Sequence, residues 1–222
     1  MLPRSAWHCE NFRMRIITGK FKGRTLETLR DHTVRPATDR VKKTIFDVLQ
    51  SRLDLRNVQV LDLFAGSGSL GFEALSRGAA QAVFVDDSKH VLDIVEANAE
   101  RLGCIDHCII VQTDALSFIK RTNDRFDLIF VDPPYSNEGA VKFPELILER
   151  GLLKTGGFII MEHARRTVFD TKPSFRLAVQ KEFGNTRVSF FTHPADSPTV
   201  EKHDQDADRL AKPAGPGEIS IS

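Results

Sequence analysis

One apolar run in this chain ends in four residues whose types could do chemistry. Residues 126–135 read FDLIFVDPPY, so a predicted buried strand runs into Asp132, Pro133, Pro134 and Tyr135. Prolines restrict the backbone, and this fixes the direction of a carboxylate and of a backbone carbonyl, both hydrogen-bond acceptors. Tyr135 is the single tyrosine of the chain, and its ring can stack on a planar group. The tetrad therefore predicts a functional site, with two fixed acceptors and one ring, at the end of this strand.

A glycine-rich loop forms the second motif. Residues 66–71 read GSGSLG between a predicted strand and a predicted helix, and Asp86 ends the next predicted strand. Glycines allow a tight turn and the close approach of a ligand to the backbone, and a helix N-terminus offers bare N–H groups. The acid can hold a pair of ribose hydroxyls. The loop alone suits any adenosine-containing cofactor, including NAD(P).

Two further acids change this choice. Asp62 lies four residues before Gly66, where a carboxylate is unfavourable beside a pyrophosphate and favourable beside an ammonium group. Asp114 and Ala115 follow the third predicted strand, where a side chain can accept a hydrogen bond from an adenine amino group. S-adenosylmethionine carries an ammonium group and no phosphate. These positions therefore indicate S-adenosylmethionine rather than a dinucleotide.

The elements that must position these residues alternate along the chain. Such alternation predicts an α/β fold, in which a doubly wound, mostly parallel sheet carries helices on both faces. Residues 15–26 and the pair 175–183 and 186–193, joined by Gly184 and Asn185, predict two hairpins. The other strands are predicted at 58–65, 81–86, 108–114, 126–132 and 156–163, and the helices at 38–53, 69–78, 88–103, 115–121 and 139–150.

Composition bounds the class of protein. The 222 residues are 41% hydrophobic and 27% charged, which is typical of one globular domain. The formal net charge is only +1, but residues 14–43 hold nine basic and three acidic residues, which suits a polyanion or a solvated face. Cys9, Cys104 and Cys108 show no metal-ligand spacing and favour a reducing cytoplasm. No apolar run approaches ~18 residues, and residues 1–13 lack the apolar core of a secretory signal.

The motifs together resemble those of Rossmann-like, class I S-adenosylmethionine-dependent methyltransferases. The DPPY tetrad resembles the signature of enzymes that methylate an exocyclic amino group of a nucleobase. The lone pair of such a nitrogen is delocalised into the ring, so acceptors that bind its N–H groups can free it. In this comparison Asp132 and the carbonyl of Pro133 are the acceptors, Pro134 fixes their direction, and Tyr135 stacks on a base flipped out of its helix.

Five segments in order resemble the bacterial RsmD family, which methylates N2 of a guanine in small-subunit (16S) ribosomal RNA. They are MRIITGKFKGRTL, RPATDRVKKTIFDVL, LDLFAGSGSLGFEALSRGA, FVDPPY and FGNTRVSFF, within residues 15–191 or just before them. The resemblance implies a cofactor site formed by Asp62, Phe64, Gly66, Gly68, Gly71, Asp86, Asp114 and Ala115. It implies RNA contacts by Lys20, Lys22, Arg24, Arg35 and Arg40. Ser88 stands where the family often carries an acid, which could change cofactor affinity.

The resemblance also implies an organisation and partners. Residues 1–13 form an extension, 14–54 an RNA-contacting basic hairpin and helix, 55–193 the methyltransferase domain, and 194–222 a disordered, acidic tail. The expected partner is small-subunit ribosomal RNA, within an assembled or assembling small subunit, and the enzyme is expected to be a cytoplasmic monomer.

Other interpretations stay open at this point. An adenine-N6 methyltransferase needs the same acceptors, an NAD(P)-dependent oxidoreductase would use the same glycine loop, and a non-catalytic RNA-binding factor could retain the fold. Some residues also have purely structural interpretations. Arg35 and Arg40 could be ordinary solvated residues, while His163 is predicted to be a polar residue at a strand end. Asn185 and Thr186 are predicted to form a turn, and Phe64 and Phe72 to be core residues, although Phe64 could wall the cofactor.

Overall fold

The centre of the protein is a seven-stranded sheet. The computed structural model describes residues 14–28, 38–133, 139–169 and 174–196. The strands are β1 Gln59–Leu63, β2 Gln81–Asp86, β3 Cys108–Gln112, β4 Phe126–Val131, β5 Leu153–Ala164, β6 Arg176–Phe183 and β7 Thr186–Thr192. Their order in the sheet is β3-β2-β1-β4-β5-β7-β6, and only the pairs that involve β7 are antiparallel. This mostly parallel sheet confirms the predicted fold class.

Helices cover both faces of the sheet, as the alternation of elements predicts. They are α1 Thr38–Gln50, α2 Ser69–Ser76, α3 Lys89–Leu102, α4 Ala115–Arg121 and α5 Phe143–Glu149. The helices α1, α2 and α3 contribute Phe46, Phe72 and Val95 to one apolar layer. The helices α4 and α5 contribute Ile119 and Ile147 to the other. The central strands β1, β2 and β4 are shielded from water on both sides, which explains their continuous apolar runs in the sequence.

The predicted boundaries differ from the structure mainly at one strand. β5 begins at Leu153, three residues before its predicted start, because the pairing of β4 and β5 shifts register between Phe126 and Leu128. This bulge accommodates Gly156 and Gly157, which are the first two residues of the predicted strand. The segment predicted as one helix at 139–150 starts as a short 3₁₀ turn, Ala140–Lys142, before α5.

The N-terminal hairpin is less regular than predicted. It contains one isolated antiparallel bridge, Arg15 to Thr25, rather than a ladder. Gly19 and Gly23 have φ angles of +86° and +80°, so turn geometry takes up most of the segment between the bridged residues. The Ile16 N–H donates to the Arg24 carbonyl at 2.9 Å, which closes the turn.

This hairpin is fixed to α2 by buried polar groups. The Glu73 carboxylate, which is fully buried, accepts from the Ile17 N–H at 2.7 Å and from the Thr18 N–H at 3.0 Å. Ser76 accepts from the Phe21 N–H at 2.9 Å through its hydroxyl oxygen. Gly19 lies so close that an added Cβ would stand 1.9 Å from the Ser76 carbonyl oxygen. The hairpin therefore has a fixed position beside the helix that follows the glycine loop.

The order of the strands reverses between β1 and β4. In doubly wound sheets ligands bind at such a switch point, outside the carboxyl ends of the strands. The glycine loop follows β1 and Asp132 follows β4, so both predicted motifs lie at this edge of the sheet. Across the described ranges, no helix is long and apolar enough to cross a membrane.

Candidate active site

Strand register brings the predicted acids to one edge. Leu63 pairs with Val131, and Val131 pairs with Met161, so the residues that follow, Asp132 and Glu162, are neighbours on adjacent strands. Asp62 is the penultimate residue of β1, and Asp86 is the last residue of β2. A carboxylate-rich edge of this kind attracts cations and repels phosphates.

The turn from β1 into the glycine loop has an unusual backbone. Phe64 has a φ angle of +63°, in the left-handed region that residues with a bulky side chain rarely adopt. Its ring packs edge-on against that of Phe143, with the ring centroids 5.5 Å apart. Such local strain is common where a chain must turn sharply at a ligand site. Phe64 is half-buried, so its ring has one face in the core and can also wall a cofactor.

The three glycines of the loop have different reasons to lack a side chain. An added Cβ would lie 2.4 Å from Phe72 at Gly68, and 2.3 Å from Phe84 at Gly71, so both positions are set by internal packing. At Gly66 the nearest atom would be the Phe64 carbonyl oxygen at 3.9 Å, and φ is +53°. Gly66 therefore presents bare backbone to open space, and this cradle fits the close approach of an adenosine-containing cofactor.

Asp62 lies beneath the loop and is only 2% exposed. It accepts a hydrogen bond from the Gly71 N–H at 2.9 Å, which fixes the first turn of α2. Burial raises the pKa of Asp62 to about 7, although the bond from Gly71 lowers it and the charge of Asp86 adds to the rise. A buried carboxyl group with a raised pKa favours a cationic partner, as the ammonium group of the cofactor would provide.

Asp86 connects the end of β2 to the glycine loop. Its carboxylate accepts from the Gly66 N–H at 3.3 Å and from the Ser88 N–H at 3.0 Å. Desolvation raises the pKa of Asp86, while these two bonds lower it. Ser88 itself caps α3, since its hydroxyl accepts from the Val91 N–H at 3.4 Å. Serine therefore has a clear local role where the family often carries an acid.

Asp114 is placed beside the same edge, but its side chain also has a structural role. It is the N-cap of α4 and accepts from the Ser117 N–H at 2.9 Å. Hydrogen bonds from Ser117 lower the pKa of Asp114, so the exposed carboxyl is ionised at neutral pH. Ala115, the next residue, is buried. Contact of this pair with an adenine ring stays a prediction.

Asp132 lies at the acidic edge, directly after β4. Desolvation raises the pKa of Asp132 to about 8, and the charges of Glu162 and Asp62 raise it further. Asp132 is itself exposed, so water offsets part of this desolvation. Pro133 follows it and is half-buried. Pro134 and Tyr135, the other two residues of the tetrad, lie outside the described residues.

The predicted RNA-contacting residues fall into two groups. Lys20, Lys22 and Arg24 are all exposed on the N-terminal hairpin, and Arg24 donates to the Arg101 carbonyl at 2.5 Å. Arg40 is exposed in the first turn of α1. Arg35 lies outside the described residues, as do Cys9 and the rest of residues 1–13, and residues 197–222 of the predicted tail. These three cations lie near the carboxyl-terminal ends of α2 and α3, since the Lys20 N–H donates to the Ser76 carbonyl and Arg24 donates to that of Arg101. The base of the hairpin reaches the glycine loop, where the Ser67 hydroxyl lies 3.1 Å from the Met14 sulfur.

Two buried polar residues near the site were not predicted from the sequence. Lys42 is 2% exposed and donates to the Arg15 carbonyl at 2.6 Å and to the Ser69 hydroxyl at 3.0 Å; burial lowers its pKa. Asn98 is fully buried and donates to the Ser67 carbonyl at 3.1 Å, within the glycine loop. The signal for Lys42 was available, because it shares a helical face with Ile45, Phe46 and Leu49.

The structural interpretations of several other residues are confirmed. The His163 ring is buried, with Nε2 2.8 Å from the Ser189 hydroxyl, and desolvation lowers its pKa. Phe72 is a fully buried core residue. Asn185 lies in the turn before β7, as predicted, whereas Thr186, which was predicted to belong to that turn, is the first residue of the strand. Cys104 and Cys108 are free thiols.

The binding of cofactor should depend on pH if Asp62 faces its ammonium group. Only the carboxylate form of Asp62 attracts a cation, and its pKa of about 7 is raised, so the charged form is lost as pH falls below neutral. We expect the Kd for S-adenosylhomocysteine to rise by up to about tenfold per pH unit below pH 7 and to be constant above it. Calorimetric titration from pH 5.5 to 8.5 measures this dependence.

Asp62→Asn is the matched control, because the amide oxygen can still accept from Gly71. This variant should bind more weakly and lose most of the pH dependence. Asp86 and Asp132 also have raised pKa values, so Asp86→Asn and Asp132→Asn are measured in parallel. A wild-type Kd that is constant over this range would restrict Asp62 to its structural bond with Gly71.

Comparison with solved structures defines the class of protein. yhhF from Escherichia coli superimposes with a TM-score of 0.72 and 30% sequence identity, covering 82% of this chain and 98% of that chain. The fold, the glycine cradle and the acidic edge are those of a class I, S-adenosylmethionine-dependent methyltransferase.

The chain belongs to the family described as conserved hypothetical protein 95, whose profile matches residues 14–192. YlbH from Bacillus subtilis is 36% identical over 182 residues, which is 80% of this chain and 98% of YlbH. The ribosomal RNA small subunit methyltransferase D of Haemophilus influenzae is 34% identical over 174 residues, which is 77% of this chain and 89% of that protein. These relatives confirm the resemblance to the RsmD family.

Proposed function

We propose that this enzyme methylates the exocyclic N2 amino group of a guanine in small-subunit (16S) ribosomal RNA. The observation that carries the proposal is the position of Asp132 and Pro133 directly after β4, at the acidic edge and beside the glycine cradle. The name of the Haemophilus influenzae relative supports the small-subunit RNA as substrate. We further propose that the enzyme acts as a monomer in the cytoplasm, on an assembled or assembling small subunit.

The chain supplies binding and orientation for this reaction. The cofactor, when bound, supplies a methyl group on a positively charged sulfur atom. The backbone at Gly66 and the carboxylates of Asp62 and Asp86 would hold its amino-acid and ribose groups. Asp114 and Ala115 would border its adenine. Four acids at the edge disfavour a pyrophosphate, which argues against a dinucleotide cofactor.

Asp132 and Pro133 would prepare the nucleophile. The Asp132 carboxylate and the Pro133 carbonyl can each accept one N–H of the guanine amino group, which draws its lone pair out of conjugation with the ring. Alkylation makes this nitrogen acidic, so the proton can pass to Asp132 or to water without a strong base. Tyr135 would stack on the extruded base, and Pro134 would fix its direction.

One assay tests the proposed function directly. The enzyme is incubated with radiolabelled S-adenosylmethionine and small ribosomal subunits from cells that lack this methylation, and the RNA is then digested to nucleosides. We expect the label in N2-methylguanosine, and at least about a hundredfold less of it with Asp132→Ala at equal enzyme concentration. Label in N6-methyladenosine would replace guanine by adenine, and binding of the cofactor without transfer would favour a non-catalytic factor.

The basic hairpin should bind phosphates of the RNA. We expect simultaneous replacement of Lys20, Lys22 and Arg24 by alanine to weaken RNA binding and to reduce its dependence on salt. Each lost phosphate contact should lower the slope of log K against log[salt] by about 0.7–0.9, hence by about 2–3 in total. Filter binding to unmodified small subunits over a range of KCl, at constant Mg²⁺, measures the slope.

The matched control replaces three cations on the other face of the sheet, where α4 packs. Lys120, Arg121 and Arg125 are exposed near the end of α4 and the start of β4, far along the strands from the acidic edge. Their removal changes the net charge equally, so it tests whether position matters. Equal slopes for the two triple variants would remove the hairpin from the RNA interface.

A further inference from the structure

A second cationic surface lies on the side of the acidic edge away from the hairpin. β5 ends at Ala164, and residues 165–167 turn immediately after it. The Thr167 N–H donates to the Ala164 carbonyl at 2.9 Å, and the Arg165 N–H donates to the Asn185 carbonyl at 2.8 Å. We call residues 165–167 the arginine turn. Its backbone is fixed by hydrogen bonds to β5 and to the turn between β6 and β7. The positions from which its side chains extend are therefore fixed.

The arginine turn carries an excess of positive charge. Arg165 and Arg187 both pair with the same carboxylate, that of Glu182, at 3.2 Å and 2.6 Å. Arg166 is exposed and forms no ion pair within the part of the chain that the structure describes. Among the described residues, Glu182 is therefore the one acid that pairs with this group of three arginines. The Arg165 side chain is 58% exposed despite its ion pair, so it can turn toward a ligand.

The position of this surface relative to Asp132 follows from the sheet. Glu162 on β5 is the neighbour of Asp132 on β4, and Arg165 lies three residues further along. At about 3.3 Å per residue, this corresponds to roughly 10 Å along the strand direction. The basic hairpin packs on α2, on the β1 side of the switch point. The cations of the hairpin lie near the last turns of α2 and α3, towards the amino ends of the strands, so the arginine turn supplies positive charge at the acidic edge itself.

A polyanion that binds at the acidic edge needs cations beside this edge. Asp62, Asp86, Asp132 and Glu162 repel phosphates, whereas a target base must approach Asp132 closely. A strand can satisfy both conditions only if its phosphates are held to the sides. Guanidinium groups suit this role because their planar fork binds phosphate oxygens in pairs.

We propose that Arg165 and Arg166 bind RNA phosphates on the β5 side of the target nucleotide, while Arg187 holds Glu182. This inference rests on the proposed function, since it takes RNA as the substrate. It adds a contact surface at the acidic edge to the one proposed on the hairpin. In the bound state Glu182 keeps its pair with Arg187, and Arg165 and Arg166 are the groups that reach the RNA.

The test compares a double variant with a matched control. We expect Arg165→Ala/Arg166→Ala to lower the slope of log K against log[salt] by about 1.5, which is two phosphate contacts. We also expect a rise in KM for RNA of at least about tenfold at physiological salt, with kcat at saturating RNA and the Kd for S-adenosylhomocysteine unchanged. Arg121→Ala/Arg125→Ala, at the opposite edge of the sheet, should retain the wild-type slope and KM.

Two further variants separate charge from folding. Arg166→Ala alone disturbs no ion pair of the described chain and should lower the slope by about 0.7–0.9. Arg165→Lys/Arg166→Lys should restore most of the salt slope, because lysine retains the charge. A wild-type salt slope in Arg165→Ala/Arg166→Ala would overturn the inference. An equal loss of slope in this variant and in Arg121→Ala/Arg125→Ala would also overturn it.

The readout also distinguishes this inference from the proposed function. The salt slope reports RNA binding and needs no methyl transfer. If the wild-type enzyme binds RNA without forming N2-methylguanosine, the proposed function fails, and the slopes still decide the role of the arginine turn. If the wild-type enzyme transfers methyl groups to guanine while Arg165→Ala/Arg166→Ala and Arg121→Ala/Arg125→Ala both keep the wild-type slope, only the RNA-binding role of the arginine turn is excluded.

Discussion

Asp132→Ala should reduce kcat for methyl transfer by about 10²–10³, while the Kd for S-adenosylhomocysteine changes by less than about threefold. Removing one preorganised hydrogen-bonding group from a site where charge develops commonly has an effect of this size. The cofactor cradle at Gly66 lies on a different strand-end, so its binding should be largely retained. Single-turnover kinetics with saturating RNA measure the chemical step, and calorimetry measures the cofactor.

The pH profile gives this prediction a second readout. The raised pKa of Asp132 means that its carboxylate form is lost as pH falls below about 8. We therefore expect kcat to rise with pH through about 8 and to level off above it. Asp132→Asn keeps one acceptor oxygen but no titrating group. It should lose less activity than Asp132→Ala and show a flatter profile.

Equal losses of kcat and of cofactor affinity in Asp132→Ala would contradict the assigned role. Such a result would mean that the residue supports the cofactor loop rather than the target base. Glu162→Gln is an informative second variant. The charge of Glu162 raises the pKa of Asp132, although Glu162 lies outside the DPPY motif. This variant should shift the pH profile toward lower pH and leave the plateau of kcat nearly unchanged.

The sheet and the position of the site were predictable for a common physical reason. Strands buried on both faces must be continuously apolar, and short strand–helix units leave few topologies. Once β1 and β4 are adjacent, the residues after Leu63 and Val131 necessarily share an edge. Asp62, Asp86 and Asp132 could therefore be brought together from the sequence alone.

Other features depend on contacts that no local pattern encodes. The left-handed φ of Phe64 cannot be read from a phenylalanine, because the residue type argues against it. The bond between Asn98 and the Ser67 carbonyl joins residues 31 positions apart. The double role of Asp114 was hidden for another reason: an acid before a helix fits both an N-cap and a ligand contact.

The second large effect concerns the buried charge that fixes the hairpin. Glu73 and Arg77 pair at 2.8 Å, with side chains that are 0% and 3% exposed. The Arg77 guanidinium also lies 4.5 Å from the centre of the Phe46 ring. Glu73→Ala would leave this cation without its counter-charge and would remove the acceptor of the Ile17 and Thr18 N–H groups. Breaking a buried pair on one side typically costs about 3–5 kcal/mol.

We therefore expect Glu73→Ala to lower the free energy of unfolding by about 3–5 kcal/mol, measured by urea denaturation followed by circular dichroism. Asp47→Ala is the matched control: Asp47 pairs with Lys43 at 2.6 Å, also four residues apart on one helix, but both side chains are more than half exposed. Its loss should have a small fraction of the effect. Glu73→Gln should fall between the two, because its amide oxygen can still accept one hairpin N–H.

A Glu73→Ala protein as stable as the Asp47→Ala protein would show that water or a shifted side chain replaces the buried carboxylate. The position of the hairpin would then rest on its apolar residues, Ile16, Phe21 and Leu26, which pack into the same core as α2.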